Sequence, residues 1–221
     1  MIVYPVHLLL SGADCLVVGG GGVSTRRVKG LLEAGAKVTV VAPQLSPELR
    51  ILMDSGTIAV LEHPYSTDTL PGMILVIAAT NSGRVNADVV ADCKERGILV
   101  CRADAPELGN FMTPAVVRRG DLCFSVSTGG NQPSLTARIV AALEQEYGPE
   151  YAEYVELLGK MRSVILNTVD EVETRKRAFR ALASEERVLL ELYRNNLQDE
   201  AFKHAMDIVN TALDYNEEMA G

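Results

Sequence analysis

The run with the clearest chemical purpose is Val17-Val-Gly-Gly-Gly-Gly-Val-Ser24. Read as Gly-x-Gly-x-x-small, it uses Gly19, Gly21 and Ser24, between a strand-like apolar run and a helix-like one. In such a turn the first glycine permits a tight bend and the second lets the backbone approach a pyrophosphate. The small third residue lets helix and strand pack closely. The helix start then offers unpaired N–H groups to the phosphates. The pattern predicts a dinucleotide site. An acid closing the second strand often holds the ribose, but here that stretch is Val40-Val-Ala-Pro-Gln44, with neither acid nor base. Backbone groups or Gln44 must take that part, and the lack of a cation for a 2′-phosphate tilts the reading toward NAD over NADP.

Other polar groups fall where strands end. Thr80 and Asn81 follow the apolar run Met73 to Ala79 and either bond a cofactor or shape a turn and cap a helix; Asn86 carries the same two readings. Asp104, in Arg102-Ala-Asp-Ala-Pro106, acts either as a general base or substrate-orienting carboxylate, or as a turn residue before proline. Arg118, Arg119 and Arg138 have the planar fork that grips carboxylates, against the alternative of a solvated turn. His7, His63 and His204 are isolated, and Cys15, Cys93, Cys101 and Cys123 form no C-x-x-C pair. No metal site is expected, and the thiols read as reduced cysteines of a cytoplasmic protein.

The elements that must position these groups follow from the pattern. The chain has 221 residues, 48% of them hydrophobic and 23% charged, enough for a packed core and not for a disordered tail. Its net charge of -8 argues against a general nucleic-acid binder. The apolar runs are strand-sized, so no membrane span is expected, and the N-terminus lacks a basic leader. Cys15–Val18, Lys37–Val41, Ile58–Leu61, Met73–Ala79 and Ile98–Cys101 read as strands. Helices run from Val23 to Ala34, Pro47 to Ser55 and about Arg84 to Arg96. This alternation predicts an α/β fold with a Rossmann-type parallel sheet.

After Asn110 the texture becomes β-rich, with runs Pro114–Gly120 and Leu122–Ser127 around a Gly120-Asp121 turn. Ser134 is placed to cap a helix reaching about Tyr147. Beyond Gly148-Pro149 the chain has no proline and only two glycines, Gly159 and Gly221, and reads as helical, with Ser184-Glu-Glu-Arg a helix start. Residues 151–221 carry 9 basic and 14 acidic side chains, so most of the negative charge lies there. The expected division is a dinucleotide-binding domain 1–113, a mixed α/β region 114–149 and an all-helical domain 150–221.

The order of these motifs resembles the precorrin-2 dehydrogenase family, which includes the dehydrogenase half of multifunctional siroheme synthases. The resemblance is carried by Tyr4-Pro5, CLVVGGGGVSTRRVKGLLEAGAKVTVVAP, VIAATNSGRVN, ADAPELGNFMTPAVVRRGDL, SVSTGGNQPSLTARIVAALE and VETRKRAFRAL, so it spans nearly the whole chain. It implies oxidation of precorrin-2 to sirohydrochlorin with NAD, and in some members insertion of Fe2+. It further implies that Gly19, Gly20, Gly21, Gly22 and Val23 bind the pyrophosphate and that Pro43 and Gln44 lie near the adenosine ribose. Asp104 falls on the family's acidic position. The segment from Pro114 to about Glu146 would form a homodimer's exchanged region, the helical tail would close over the tetrapyrrole cleft, and Arg118, Arg119 and Arg138 are the candidates for its carboxylates. Two positions depart: Cys101 stands where the family often has Asn, and Arg102-Ala103 where Val-Val is usual. The competing readings are an NAD(H)-sensing regulatory module without turnover, and an oxidoreductase of a small substrate, for which a catalytic His or Lys would be expected.

Overall fold

The computed structural model describes residues 2–219, with side chains as far as Ala212. The chain divides into two compact units, Met1–Thr113 and Pro114–Gly221.

In the first unit the strands are β1 (Asp14–Val18), β2 (Lys37–Val41), β3 (Ala59–Leu61), β4 (Leu75–Ala78) and β5 (Leu99–Arg102). They form one parallel sheet in the order β3-β2-β1-β4-β5. The connections carry α1 (Gly22–Glu33), α2 (Pro47–Asp54) and α3 (Gly83–Glu95). This is the Rossmann-type sheet that the alternation of apolar runs predicts. Side chains alternate across a strand: Cys15 and Val17 pack with Val28, Val40 and Leu49 on one face, Leu16 and Val18 with Val76, Val89 and Val100 on the other. Covering both faces is why the central strands are apolar throughout. Glycines with positive φ, Gly35 after α1 (+76°) and Gly97 after α3 (+68°), turn the chain back toward the next strand.

The second unit opens with an antiparallel hairpin of β6 (Ala115–Arg119) and β7 (Leu122–Val126). Gly120 at the first turn position has φ +57°, as a two-residue II′ turn requires. There follow α4 (Pro133–Glu146), α5 (Tyr151–Thr168), α6 (Val172–Ser184), α7 (Glu186–Arg194) and α8 (Gln198–Met219). Tyr154, Leu157, Met161 and Ile165 recur at helical spacing on α5 and are buried with Leu182 and Leu189 of α6 and α7. Arg194, at the end of α7, bonds Glu150 just ahead of α5.

Two helix starts differ from expectation. Ser134 lies inside the first turn of α4: Gln132 is the N-cap and Pro133 the first helical residue, with no side-chain cap. Proline's missing N–H and fixed φ suit that position. Ser184 ends α6 instead of opening α7, and its hydroxyl donates back to the Ala181 carbonyl at 2.7 Å; the N-cap of α7 is Glu185.

Met161 is fully buried at the centre of the helical core. Its replacement by Ala should destabilise the chain by about 2–5 kcal/mol, read as a lower urea midpoint by tyrosine fluorescence; an unchanged midpoint would mean that the core collapses without loss.

Candidate functional site

The candidate site lies at the carboxyl edge of the sheet, between β1 and β4. There the strand order reverses direction, and open α/β sheets bind ligands in that crevice. Val18, Ala78 and Arg102 stand side by side in register, so the chain leaves β1, β4 and β5 at one level. With strands spaced by about 4.8 Å, the ends of β1 and β5, two strands apart, are about 10 Å from each other.

The four glycines of the turn fall into two pairs. Gly19 has φ +126°, and a Cβ there would strike the Ala79 carbonyl; a Cβ on Gly20 would strike the Gln44 carbonyl. The fold itself therefore demands these two. A Cβ on Gly21 or Gly22 meets nothing within 4 Å, and neither residue has a positive φ. Their smallness serves the space outside the chain, which fits backbone approach by a pyrophosphate. α1 carries no acidic residue in its first turn and Gly21 is its N-cap without a side-chain bond, so the first N–H groups point outward unneutralised. The residues present thus fit a dinucleotide phosphate.

Side chains behind the turn hold it still. Ser24 is buried, its hydroxyl 3.4 Å from the Ala79 carbonyl, the close helix–strand contact that a small residue allows. The Thr25 hydroxyl bonds the Gly21 carbonyl at 3.1 Å and Ser46 Oγ at 2.9 Å. Ser46 also caps α2 and donates its N–H to the Gly20 carbonyl at 2.7 Å. Pro43 and Gln44, between β2 and this cap, are exposed on the same edge.

Across the crevice a second network fixes the acid. Asn86, on α3 and 1% exposed, accepts from Thr80 N–H (3.0 Å) and hydroxyl (2.7 Å) at Oδ1. Its Nδ2 donates to the Thr80 carbonyl (3.1 Å) and to Asp104 Oδ1 (3.0 Å). Arg102 completes the set: Nε donates to Asp104 Oδ1 at 3.0 Å and Nη2 to Oδ2 at 2.8 Å. These hydrogen bonds from Arg102, with help from Asn86, hold the Asp104 carboxyl below the usual carboxylate range, so it is ionised at neutral pH.

The sequence-predicted residues thus take different places. Gly19 to Val23, Thr80 and Asp104 share one edge. Thr80 is engaged with Asn86, so it acts through the network, while Asn81 is exposed at the tip of the same turn. Arg118 and Arg138 are exposed in the second unit. Arg119 has a structural occupation, donating to the carbonyls of Tyr147 (2.8 Å) and Glu144 (3.4 Å) at the end of α4 and to that of its neighbour Arg118 (2.9 Å). Cys101 is buried and bonded to Thr113, and burial pushes its thiol up, so it stays protonated. Asn86 and Arg102 are the residues that sequence reasoning undervalued; their signal was a polar side chain six residues after Thr80 and a cation two before Asp104.

The two glycine pairs separate by experiment. Gly19→Ala should lose more than about 1 kcal/mol of stability, since it strains a positive φ and meets a carbonyl. Gly21→Asp should keep the midpoint of unfolding but lose dinucleotide binding, measured by calorimetric titration. Unchanged affinity in folded Gly21→Asp would remove the phosphate site.

Comparison with known proteins agrees with this fold. Residues 6–115 match a family model described as putative NAD(P)-binding, which supports a nicotinamide cofactor for the chain. The chain is 37% identical over 174 residues to a siroheme synthase of Chromobacterium violaceum and 38% over 172 residues to one of Pseudomonas aeruginosa, covering 79% and 78% of the chain. Against a siroheme synthase of Thioalkalivibrio sulfidiphilus the identity is 34% over 211 residues, or 96% of the chain. The chain spans only 37–43% of the length of these relatives. Among solved structures it matches SirC, a precorrin-2 dehydrogenase, with TM-score 0.73 and 31% identity, covering 93% of this chain and 100% of that one. With 31% identity and full coverage of a solved precorrin-2 dehydrogenase, and 34–38% identity to siroheme synthases, the chain belongs to the precorrin-2 dehydrogenase and siroheme synthase family.

Proposed function

We propose that the chain is an NAD-dependent dehydrogenase that oxidises precorrin-2 to sirohydrochlorin. The observation that carries this reading is an ionised carboxylate, Asp104, pinned on the same sheet edge as the phosphate-binding turn. A module that only sensed NAD(H) would have no use for a fixed anion there. NAD is preferred to NADP because Val40-Val-Ala-Pro-Gln44 brings no cation to a 2′-phosphate.

When bound, the nicotinamide supplies the hydride acceptor. The protein supplies place and charge. The glycine turn and the start of α1 would hold the pyrophosphate, and Pro43 and Gln44 would border the adenosine ribose. A macrocycle that loses hydride gains positive charge and must then release a proton. Asp104 stabilises that charge as an anion and can accept the proton. Arg118 and Arg138, exposed in the second unit, are the cations proposed for the substrate's carboxylates.

The second unit also supports a homodimer. None of the fourteen residues of α4 is buried, although Leu135, Ile139, Val140 and Leu143 stand at helical spacing, and Val117 alone is buried in the adjoining hairpin. Such a half-covered apolar stripe fits a twofold interface with a second copy.

Two measurements test these readings. Asp104→Asn should lower turnover of precorrin-2 with NAD by about a hundredfold or more while NAD affinity is kept; near-normal turnover would sink the role of the carboxylate. Light scattering at micromolar concentration should give twice the chain mass, and Ile139→Asp should give monomers.

A further inference from the structure

We infer that Arg102 is the positioning residue of Asp104, fixing the plane and position of its carboxylate at the rim of the crevice. The inference rests on the dehydrogenase reading for its role in turnover, and on this chain's own geometry for the clamp itself.

A carboxylate has about four lone-pair sites. Oδ1 accepts from both Asn86 Nδ2 and Arg102 Nε, so its two sites are filled. Oδ2 accepts from Arg102 Nη2 at 2.8 Å, and a backbone N–H at Asp104 adds a further hydrogen bond to the carboxylate. The two-point contact sets the carboxylate plane as well as its position, because the guanidinium fork matches a carboxylate in one orientation. Arg102 is itself held: it is 13% exposed against 45% for Asp104, so the cation forms the floor and the anion the rim. Room for the cation comes from Gly83, the first residue of α3, where a Cβ would stand 3.3 Å from Nη2.

The groups facing the pair come from three elements. Arg102 lies at the end of β5, Asn86 on α3, and Glu107 in the short 3-10 turn Pro106–Leu108. Hydrogen bonds to Asp104 are the main cause that holds the Arg102 pKa above its usual value, and the Glu107 charge adds to it. Lowering the carboxyl pKa has two opposed effects. It keeps Asp104 charged under acidic conditions, and it makes Asp104 a weaker base. The clamp therefore favours an anion that stabilises charge in the ring over one that removes protons strongly.

The test uses the full chain with Arg102→Met and Arg102→Lys. The Asp104 carboxyl is followed by carbon-13 NMR titration, with its signal identified by its loss in Asp104→Asn. In Arg102→Met the midpoint should rise toward or above the ordinary value of 3.8, because the hydrogen bonds that lower it are gone. In turnover of precorrin-2, kcat should fall by about tenfold or more with KM for NAD within about twofold, and the acidic limb of the profile should move up with the NMR midpoint. Arg102→Lys, which keeps the charge without the fork, should restore the midpoint in part but not kcat. An unmoved midpoint in folded Arg102→Met, or a moved midpoint with unchanged kcat, would overturn the inference. Absence of precorrin-2 oxidation by the unmodified protein would instead overturn the dehydrogenase reading, and the titration would then decide the clamp alone.

Discussion

A buried primary amide must find four partners, two for its oxygen and two for its nitrogen, or lose free energy for each one missing. Asn86 finds all four at the mouth of the crevice, three of them on Thr80 and the last on Asp104. One side chain on α3 thus ties the exit of β4 to the exit of β5. The turn after β4 cannot shift without unmaking the support of the acid. Opposite it, the fold imposes a similar constraint through Gly19 and Gly20, which bring the turn against the Ala79 and Gln44 carbonyls. Both sides of the crevice meet at residues 79 and 80, so the end of β4 serves as the common reference for glycine turn and carboxylate.

That arrangement gives physical content to a residue type that looks out of place. An arginine at the end of a buried strand is costly unless paired, and Arg102 is paired with a rim carboxylate two residues on. The pair forms within one stretch of chain, so its geometry follows from how β5 ends and does not depend on distant packing. Arg119 solves a different problem with the same fork, satisfying the carbonyls that α4 leaves at its end.

Much of this was legible in the residues. The five strands, their helices and the glycine turn follow from apolar runs interrupted by glycine, since a parallel sheet covered on both faces leaves no other pattern. The helical tail was legible from the near absence of glycine and proline. The helix starts at Ser134 and Ser184 were misread because serine is a frequent cap but not an obligatory one: Pro133 took the first position of α4, and Ser184 bonds backward into α6. Asn86 and Arg102 were hidden for another reason. The bond from Asn86 to Asp104 is set by how α3 and β5 pack beside β4, which sequence spacing does not show, while Arg102 stands only two residues from Asp104 and is paired with it by the way β5 ends.

The cysteines have a consequence of their own. Cys15, Cys93 and Cys101 are buried, and burial holds their thiols above the usual range, Cys15 at about 11 and Cys93 at about 12. Alkylation proceeds through the thiolate and needs access, so these three are inert at neutral pH while the chain is folded. Cys123, partly exposed on β7, stands apart. The protein therefore carries a natural single attachment point for a dye or spin label, set in the hairpin beside α4, where a label reports on the second unit without entering the core of the sheet.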